Sequence, residues 1–256
     1  MRGERMENSI SGASVLVIGA SAGIGREVAR AFADRGARVM AVGRREANLR
    51  ELAEGSSVEW TAADITEPGE PDRVVARAVA AFGGLDIVVN VAAASPMGLL
   101  ADADPDALLA VFASNVVAPS QMCRAALAHL GEGGIIGFVS SETVGRPRKG
   151  LVPYGASKAA LEELVNGWRV ENPHRRFATI RVGATIGTDF GRDFSGELLG
   201  DCIEDWIRGG HIAASMMEPV PVGTAIAEIL SVGFAHPTIE LTDFAIRPPG
   251  PLATLD

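Results

Sequence analysis

The segment Val15-Leu-Val-Ile18 runs without interruption into Gly19-Ala-Ser-Ala-Gly23-Ile-Gly25, and a helical pattern begins at once. A short apolar run with no polar alternation suits a strand buried on both faces. The glycines let the backbone turn sharply and approach a ligand closely. A helix that starts there directs free N–H groups and partial positive charge at the turn, where a pyrophosphate can sit. The spacing is G-x-x-x-G-x-G, not the commoner G-x-G-x-x-G, and a tight strand–helix turn that binds nothing is the plain alternative.

The same rhythm continues along the chain. Apolar runs at Arg38–Val42, Val58–Ala62, Leu85–Val89, Ile135–Val139, Phe177–Val182 and Ile239–Ile246 read as further strands. Helices are expected at Ile24–Arg35, ending near Gly36, and at Pro71–Phe82. Another should open at Asp104-Pro105 and run toward Leu130, and a fourth should span Tyr154–Val170. Alternation of this kind gives an α/β fold: a single doubly wound parallel sheet of about seven strands with helices on both faces, of the Rossmann type. Residues 1–256 read as one dinucleotide-binding domain, with 1–13 as a flexible N-terminus. Residues 189–218 break the rhythm with Phe190, Phe194, Trp206, Met216 and Met217 among glycines and acids, and read as a substrate lid.

Composition excludes several classes. With a net charge of −9 and a pI near 5.0, the chain lacks the clustered basic residues that a nucleic-acid surface needs. No uncharged apolar run reaches the length of a membrane span, and the polar N-terminus has no signal-peptide centre, so a cytoplasmic location is expected. Cys123 and Cys202 have neither redox nor zinc spacing and are expected as buried, reduced thiols; no metal site is expected. Arg146, Arg148 and Lys149 read as a solvated basic loop, the alternative being a lure for an anionic substrate.

Three further places carry chemistry. The second strand ends in Val42-Gly43-Arg44-Arg45, with no acid at 43 to grip a ribose 2′-hydroxyl and two arginines able to meet a 2′-phosphate. NADP(H) is therefore favoured over NAD(H). Tyr154-Gly-Ala-Ser-Lys158 places a phenol and an ammonium one helical turn apart, on one face. A neighbouring cation favours phenolate, so Lys158 is expected to lower the pKa of Tyr154, the only tyrosine in the chain. Ser140-Ser141 closes the preceding strand, facing the crevice where ligands bind.

Taken together, these motifs resemble the short-chain dehydrogenase/reductase family in its compact single-domain branch, from about Ser14 to about Pro248. The glycine turn corresponds to Gly19, Gly23 and Gly25, with Ser21 and Ile24 inside it. Asp64-Ile65 matches the pair the family sets against adenine, and Asn90-Val91-Ala92-Ala93 matches its strand-four segment, with Val91 and Ala93 replacing the usual asparagine and glycine. Asn115, Ser141, Tyr154 and Lys158 match the catalytic set, and Ser141 fits the family spacing better than Ser140. Gly183 and Thr188 follow strand six, with Val182 replacing the usual proline and Thr188 one position further from the glycine than usual.

The resemblance implies roles. Tyr154 would be the general acid and base, Lys158 would tune it and bond the nicotinamide ribose, and Ser141 would orient the substrate oxygen. Asn115 would hold a relay water through its backbone carbonyl. Gly19, Ser21, Gly23, Ile24, Gly25, Arg44, Arg45, Asp64, Ile65, Asn90, Ala92, Gly183 and Thr188, with Tyr154 and Lys158, would line the cofactor. The implied activity is NADP(H)-dependent interconversion of a carbonyl and an alcohol on a small molecule, by a homodimer or homotetramer with no nucleic-acid or membrane partner. A non-catalytic NADP(H)-binding scaffold or redox sensor is the alternative.

Overall fold

The structure, a computed structural model, describes residues 10–191, 194 and 196–254. Among these, seven strands form one parallel sheet: β1 (Ser14–Ile18), β2 (Arg38–Gly43), β3 (Val58–Ala62), β4 (Leu85–Asn90), β5 (Leu130–Ser141), β6 (Arg176–Val182) and β7 (Asp243–Ile246). Their order is β3-β2-β1-β4-β5-β6-β7. The helices are α1 (Gly23–Asp34), α2 (Glu46–Ala53), α3 (Glu70–Phe82), α4 (Pro105–Phe112), α5 (Ala118–Leu127), α6 (Val152–Glu171), α7 (Gly196–Arg208) and α8 (Pro219–Ala235).

Both faces of the sheet are covered, which explains the unbroken apolar strands. Val15 and Val17 pack with Val28 and Phe32 of α1 and Ile226 of α8. Leu16 and Ile18 point the other way, toward Val74 of α3, Met122 of α5 and Leu161 and Val165 of α6. With a side-chain period of two and a helical layer on each side, every position from Val15 to Ile18 on β1 is apolar. Each such aliphatic side chain contributes roughly 1.5–3 kcal/mol on burial. The doubly wound α/β architecture read from the sequence is the observed one.

The chain builds β1, β2 and β3 outward, then returns past β1 to begin β4 and build the other half. Where that direction reverses, a crevice opens at the carboxyl ends of the strands. The Gly19 turn after β1, Asn90 at the end of β4 and Ser141 at the end of β5 therefore arrive side by side.

Some expectations need correction. Asp104 caps α4 through Oδ1, which accepts from the N–H groups of Asp106 (2.8 Å) and Ala107 (3.1 Å), with Pro105 in the first turn. The helical path stops at Leu127, however, and opens into a π turn at Ala113–Val117. Pro119 supplies the reason: it has no N–H to give the Asn115 carbonyl four residues back, and its ring presses on that carbonyl. The last strand covers only Asp243–Ile246, because Ile239 closes a turn onto the His236 carbonyl. Helix α8 was not foreseen; it crosses α1 so closely that a Cβ on Gly223 would lie 2.6 Å from Glu27 Cβ.

Of the expected flexible N-terminus, residues 1–9 lie outside the described residues. Ile10 is buried, and Gly12 donates to the Gly36 carbonyl, so this end of the segment is tied down. No helix among the described residues is long and apolar enough to cross a membrane, and no group of metal-ligating side chains occurs among them.

Candidate active site

The glycine turn is shaped by contacts that only glycine allows. Gly19 has φ +91°, and a Cβ there would lie 2.5 Å from the Ala92 nitrogen; a Cβ on Gly25 would lie 2.2 Å from the Gly19 carbonyl oxygen. Helix α1 then begins at Gly23 with neither a capping side chain nor an acid in its first turn. That end keeps its positive partial charge for an anion. Thr188 stands over the turn, within 3.4 Å of where a Gly23 Cβ would be. Ile24 packs against the core on one side of the sheet, and Ile65 joins the core on the other.

Val91 and Ala92 both donate to the Ile18 carbonyl, which holds the segment after β4 against β1. Asn90 is buried, and neither carboxamide atom has a protein partner among the described residues. A buried amide left unpaired costs about 1–3 kcal/mol. Its place at the switch point makes it a fit for a polar ligand.

The two arginines after β2 differ. Arg44 is 78% exposed, with Asp64 at 3.7 Å. Arg45 lies against Ser21 Oγ (3.3 Å) and pairs with Asp189, at the start of the expected lid. A Cβ on Gly43 would sit 2.9 Å from Ser21 Cβ, so the acid typical of NAD sites has no room there. Burial opposes the charge of Asp64, but hydrogen bonds from Thr66 and the nearby Arg44 hold its carboxyl below the usual range.

On the other side of the crevice, Tyr154 stands in the first turn of α6, 6% exposed. Lys158, one turn later, is 2% exposed and donates to the Val139 carbonyl at 2.8 Å, its Nζ 5.9 Å from the Tyr154 ring centroid. Ser141 bonds the Tyr154 hydroxyl and accepts from the Thr143 N–H at 3.2 Å. Ser140 instead turns to α6 and donates to Glu162 at 2.6 Å. Successive residues of a strand face opposite ways, and this decides between the two serines. Asn115 is fully buried: Nδ2 donates to the Ala94 carbonyl (2.8 Å) and to Ser157 Oγ (2.9 Å), and Oδ1 accepts from the Ala94 N–H (2.7 Å).

The electrostatics correct one expectation. Burial pushes the Tyr154 phenol up to about 12, against smaller lowering effects of Ser141 and Arg148. Burial also pushes Lys158 down to about 8, with Glu162 opposing. Lys158 spends its proton on the Val139 carbonyl, and the cation that reaches the phenol is Arg148. Nor is Arg148 a solvated loop residue. It is 8% exposed, pairs with Glu142 and donates to the His211 carbonyl at 2.7 Å. A Cβ on Gly183 would come within 2.9 Å of Glu142 Oε2, so the loop after β6 closes directly on this pair.

Phe190 was not foreseen as a site residue. Its ring meets Tyr154 edge-on at 5.1 Å, and Ser95 Oγ donates to its carbonyl. Trp206, 7% exposed, donates to the Lys149 carbonyl and packs with Leu151, Cys202 and Ile212, fastening α7 to the loop before Tyr154. Both cysteines are buried and unpaired, as expected. No local pattern marks Arg148 or Phe190; Glu162 lies eight residues after Tyr154, on the same helix face, a signal present in the spacing but unread.

The family description "short chain dehydrogenase" matches residues 13–195. A short chain dehydrogenase of Pseudocercospora fijiensis is 37% identical over 170 residues, covering 63% of this chain and 55% of that protein. The human dehydrogenase/reductase SDR family member 4 is 33% identical, covering 61% and 59%. The match thus spans little more than half the length of these relatives. Among solved structures, a dehydrogenase/reductase from Sinorhizobium meliloti superposes with a TM-score of 0.80 at 27% identity over 95% of this chain and 97% of that one. A short chain dehydrogenase from Burkholderia cenocepacia in complex with NADP gives 0.79 at 29%, over 94% and 98%.

Proposed function

The chain belongs to the short-chain dehydrogenase family, and from that premise we propose that it is an NADP(H)-dependent oxidoreductase interconverting a carbonyl and an alcohol on a small molecule. The observation that carries the reading is the buried Ser141–Tyr154–Lys158 group at the end of β5, across the crevice from a glycine turn. The unpaired Asn90 amide, the uncapped α1 terminus and the close-packed Gly19 and Gly25 fit a dinucleotide. When bound, the nicotinamide supplies or accepts the hydride.

Gly19, Ser21, Gly23 and Gly25 line the pyrophosphate, with Ala92 and Asn90 beside it. Gly183 and Thr188 border the nicotinamide end, Asp64 and Ile65 the adenine end. Arg44 and Arg45 meet the 2′-phosphate, a choice supported by the crowding at Gly43 and by the NADP in the Burkholderia relative. Ser141 holds the substrate oxygen, and Tyr154 gives it a proton. A phenol held near 12 stays protonated at neutral pH and so is ready to donate. Lys158 and Asn115 complete the proton path. Residues 189–218 act as the lid, in keeping with the seating of Phe190 on Tyr154. Exposed Leu109, Val117 and Leu164 on the flank built by α4–α6 support a homodimer or homotetramer.

Tyr154→Phe tests the proposal. NADPH-dependent reduction over a panel of ketones, aldehydes and quinones should fall by about 10²–10⁴-fold, while NADPH binding, followed by fluorescence titration, changes little. Wild-type turnover in the variant would refute the acid–base assignment.

A further inference from the structure

Tyr154, Lys158 and Glu162 follow one another at intervals of four residues along α6 and therefore share one face of the helix. Glu162 belongs to none of the motifs above, yet it is the most heavily bonded acid beside the site. Its side chain is 13% exposed. Oε1 accepts from Ser140 Oγ at 2.6 Å and from Arg181 Nε at 2.8 Å, and Oε2 accepts from Arg181 Nη2. Ser140 and Arg181 are themselves partners in the β5–β6 register. One carboxylate thus joins α6, β5 and β6 directly behind Ser141 and one turn beyond Lys158.

Lys158 needs such a neighbour. Its ammonium is buried, its hydrogen bond goes to the neutral Val139 carbonyl, and the Tyr154 ring beside it carries no charge. The ionised groups facing this region from the packed elements are Arg181 on β6 and the Arg148–Glu142 pair in the loop after β5, whose influence falls on Tyr154. Arg148 and Arg181 are cations and would drive the proton off Lys158. A buried ammonium without an opposite charge loses its proton readily.

We propose that Glu162 is a positioning residue of this site: held in place by Ser140 and Arg181, its carboxylate is the counter-charge that keeps Lys158 an ammonium beside Tyr154. The direction in which Glu162 moves the titration of Lys158 agrees. The consequence for turnover rests on the catalytic role proposed above for Lys158; the counter-charge itself does not. Arg181 has a defined part as well. It neutralises Glu162, so removing Glu162 leaves Lys158 facing a bare cation, and removing Arg181 frees the full carboxylate. The two substitutions must move Lys158 in opposite directions.

The chain offers an unusually clean readout, because it contains only two lysines, Lys149 and Lys158. Lys149 is exposed and serves as an internal reference. Full-length protein labelled with [ε-13C]lysine is titrated by NMR as wild type, Glu162→Gln, Glu162→Asp and Arg181→Gln. In Glu162→Gln the Lys158 midpoint should fall by about one pH unit; in Arg181→Gln it should rise; Glu162→Asp should lie close to wild type; Lys149 should not move. An unmoved Lys158 in Glu162→Gln, or displacement in the same direction in Glu162→Gln and Arg181→Gln, overturns the proposal, since a purely structural brace gives one or the other. Should Glu162→Gln not fold, Arg181→Gln still decides by its sign. The pH profile of kcat/KM then separates the two readings. Its alkaline limb should follow the Lys158 midpoint in each variant. Movement of the midpoint with a stationary limb upholds the counter-charge and refutes the catalytic role of Lys158.

Discussion

Asn115→Ala would show how much of the site depends on one buried amide. The side chain is fully buried and makes three hydrogen bonds, two of them to the backbone of Ala94, just past the segment that closes on β1. Ser157 loses little, because its hydroxyl still donates to the Tyr154 carbonyl at 2.7 Å. The Ala94 N–H and carbonyl are the groups left unmet, at about 1–3 kcal/mol each. Water entering from the crevice recovers part of this, so a net loss of about 3 kcal/mol is expected. For a chain of this size that lowers Tm by roughly 6–12 °C. The assay is urea unfolding followed by tryptophan fluorescence, with calorimetry as a check. The variant should also bind NADPH more weakly, because the segment that follows Asn90 and Ala92 loses its anchor at Ala94. A loss under about 1 kcal/mol would refute the idea that this amide, and not the π turn alone, anchors the loop after β4.

The cofactor and the buried lysine give two more tests. Arg44→Ala should raise KM for NADPH at least tenfold, the worth of roughly one charge-assisted contact to the 2′-phosphate, and leave KM for NADH nearly unchanged in steady-state assays; equal effects on both would end the phosphate assignment. Lys158 titrates at about 8 in the folded chain against 10.5 in the open. The lowered folded pKa makes the buried charge a full cost below pH 8, and that cost fades as pH rises toward 10.5, where the unfolded chain holds the extra proton. Lys158→Met should therefore be more stable than wild type by about 3 kcal/mol at neutral pH, with the gap closing by pH 10.5. A gap constant with pH in denaturant titrations would contradict it.

Much of this protein was legible along the chain because the relevant physics is local. A short apolar run with no polar alternation, bounded by a glycine turn, suits a strand covered on both faces, and β1 is one. Glycines at 19, 23 and 25 mark a turn no other residue can make. A spacing of four on a helix brings Tyr154 and Lys158 to one face whatever surrounds them. Even the π turn was written locally, in Pro119, though it passed unread.

Other features depended on which elements become neighbours, and no window of sequence holds that information. Ser140 and Ser141 look alike until the pleat sends one to Glu162 and the other to Tyr154. Arg148 reads as a surface charge until Glu142 and the His211 carbonyl, from a segment 63 residues away, enclose it. The phenol next to a lysine reads as acidified, yet burial outweighs the lowering effects of Ser141 and Arg148 and sends its pKa upward. Spacing along the chain sets which groups share a face. Desolvation and long-range pairing set the charge they carry, and those exist only once the sheet and its two helical layers have closed.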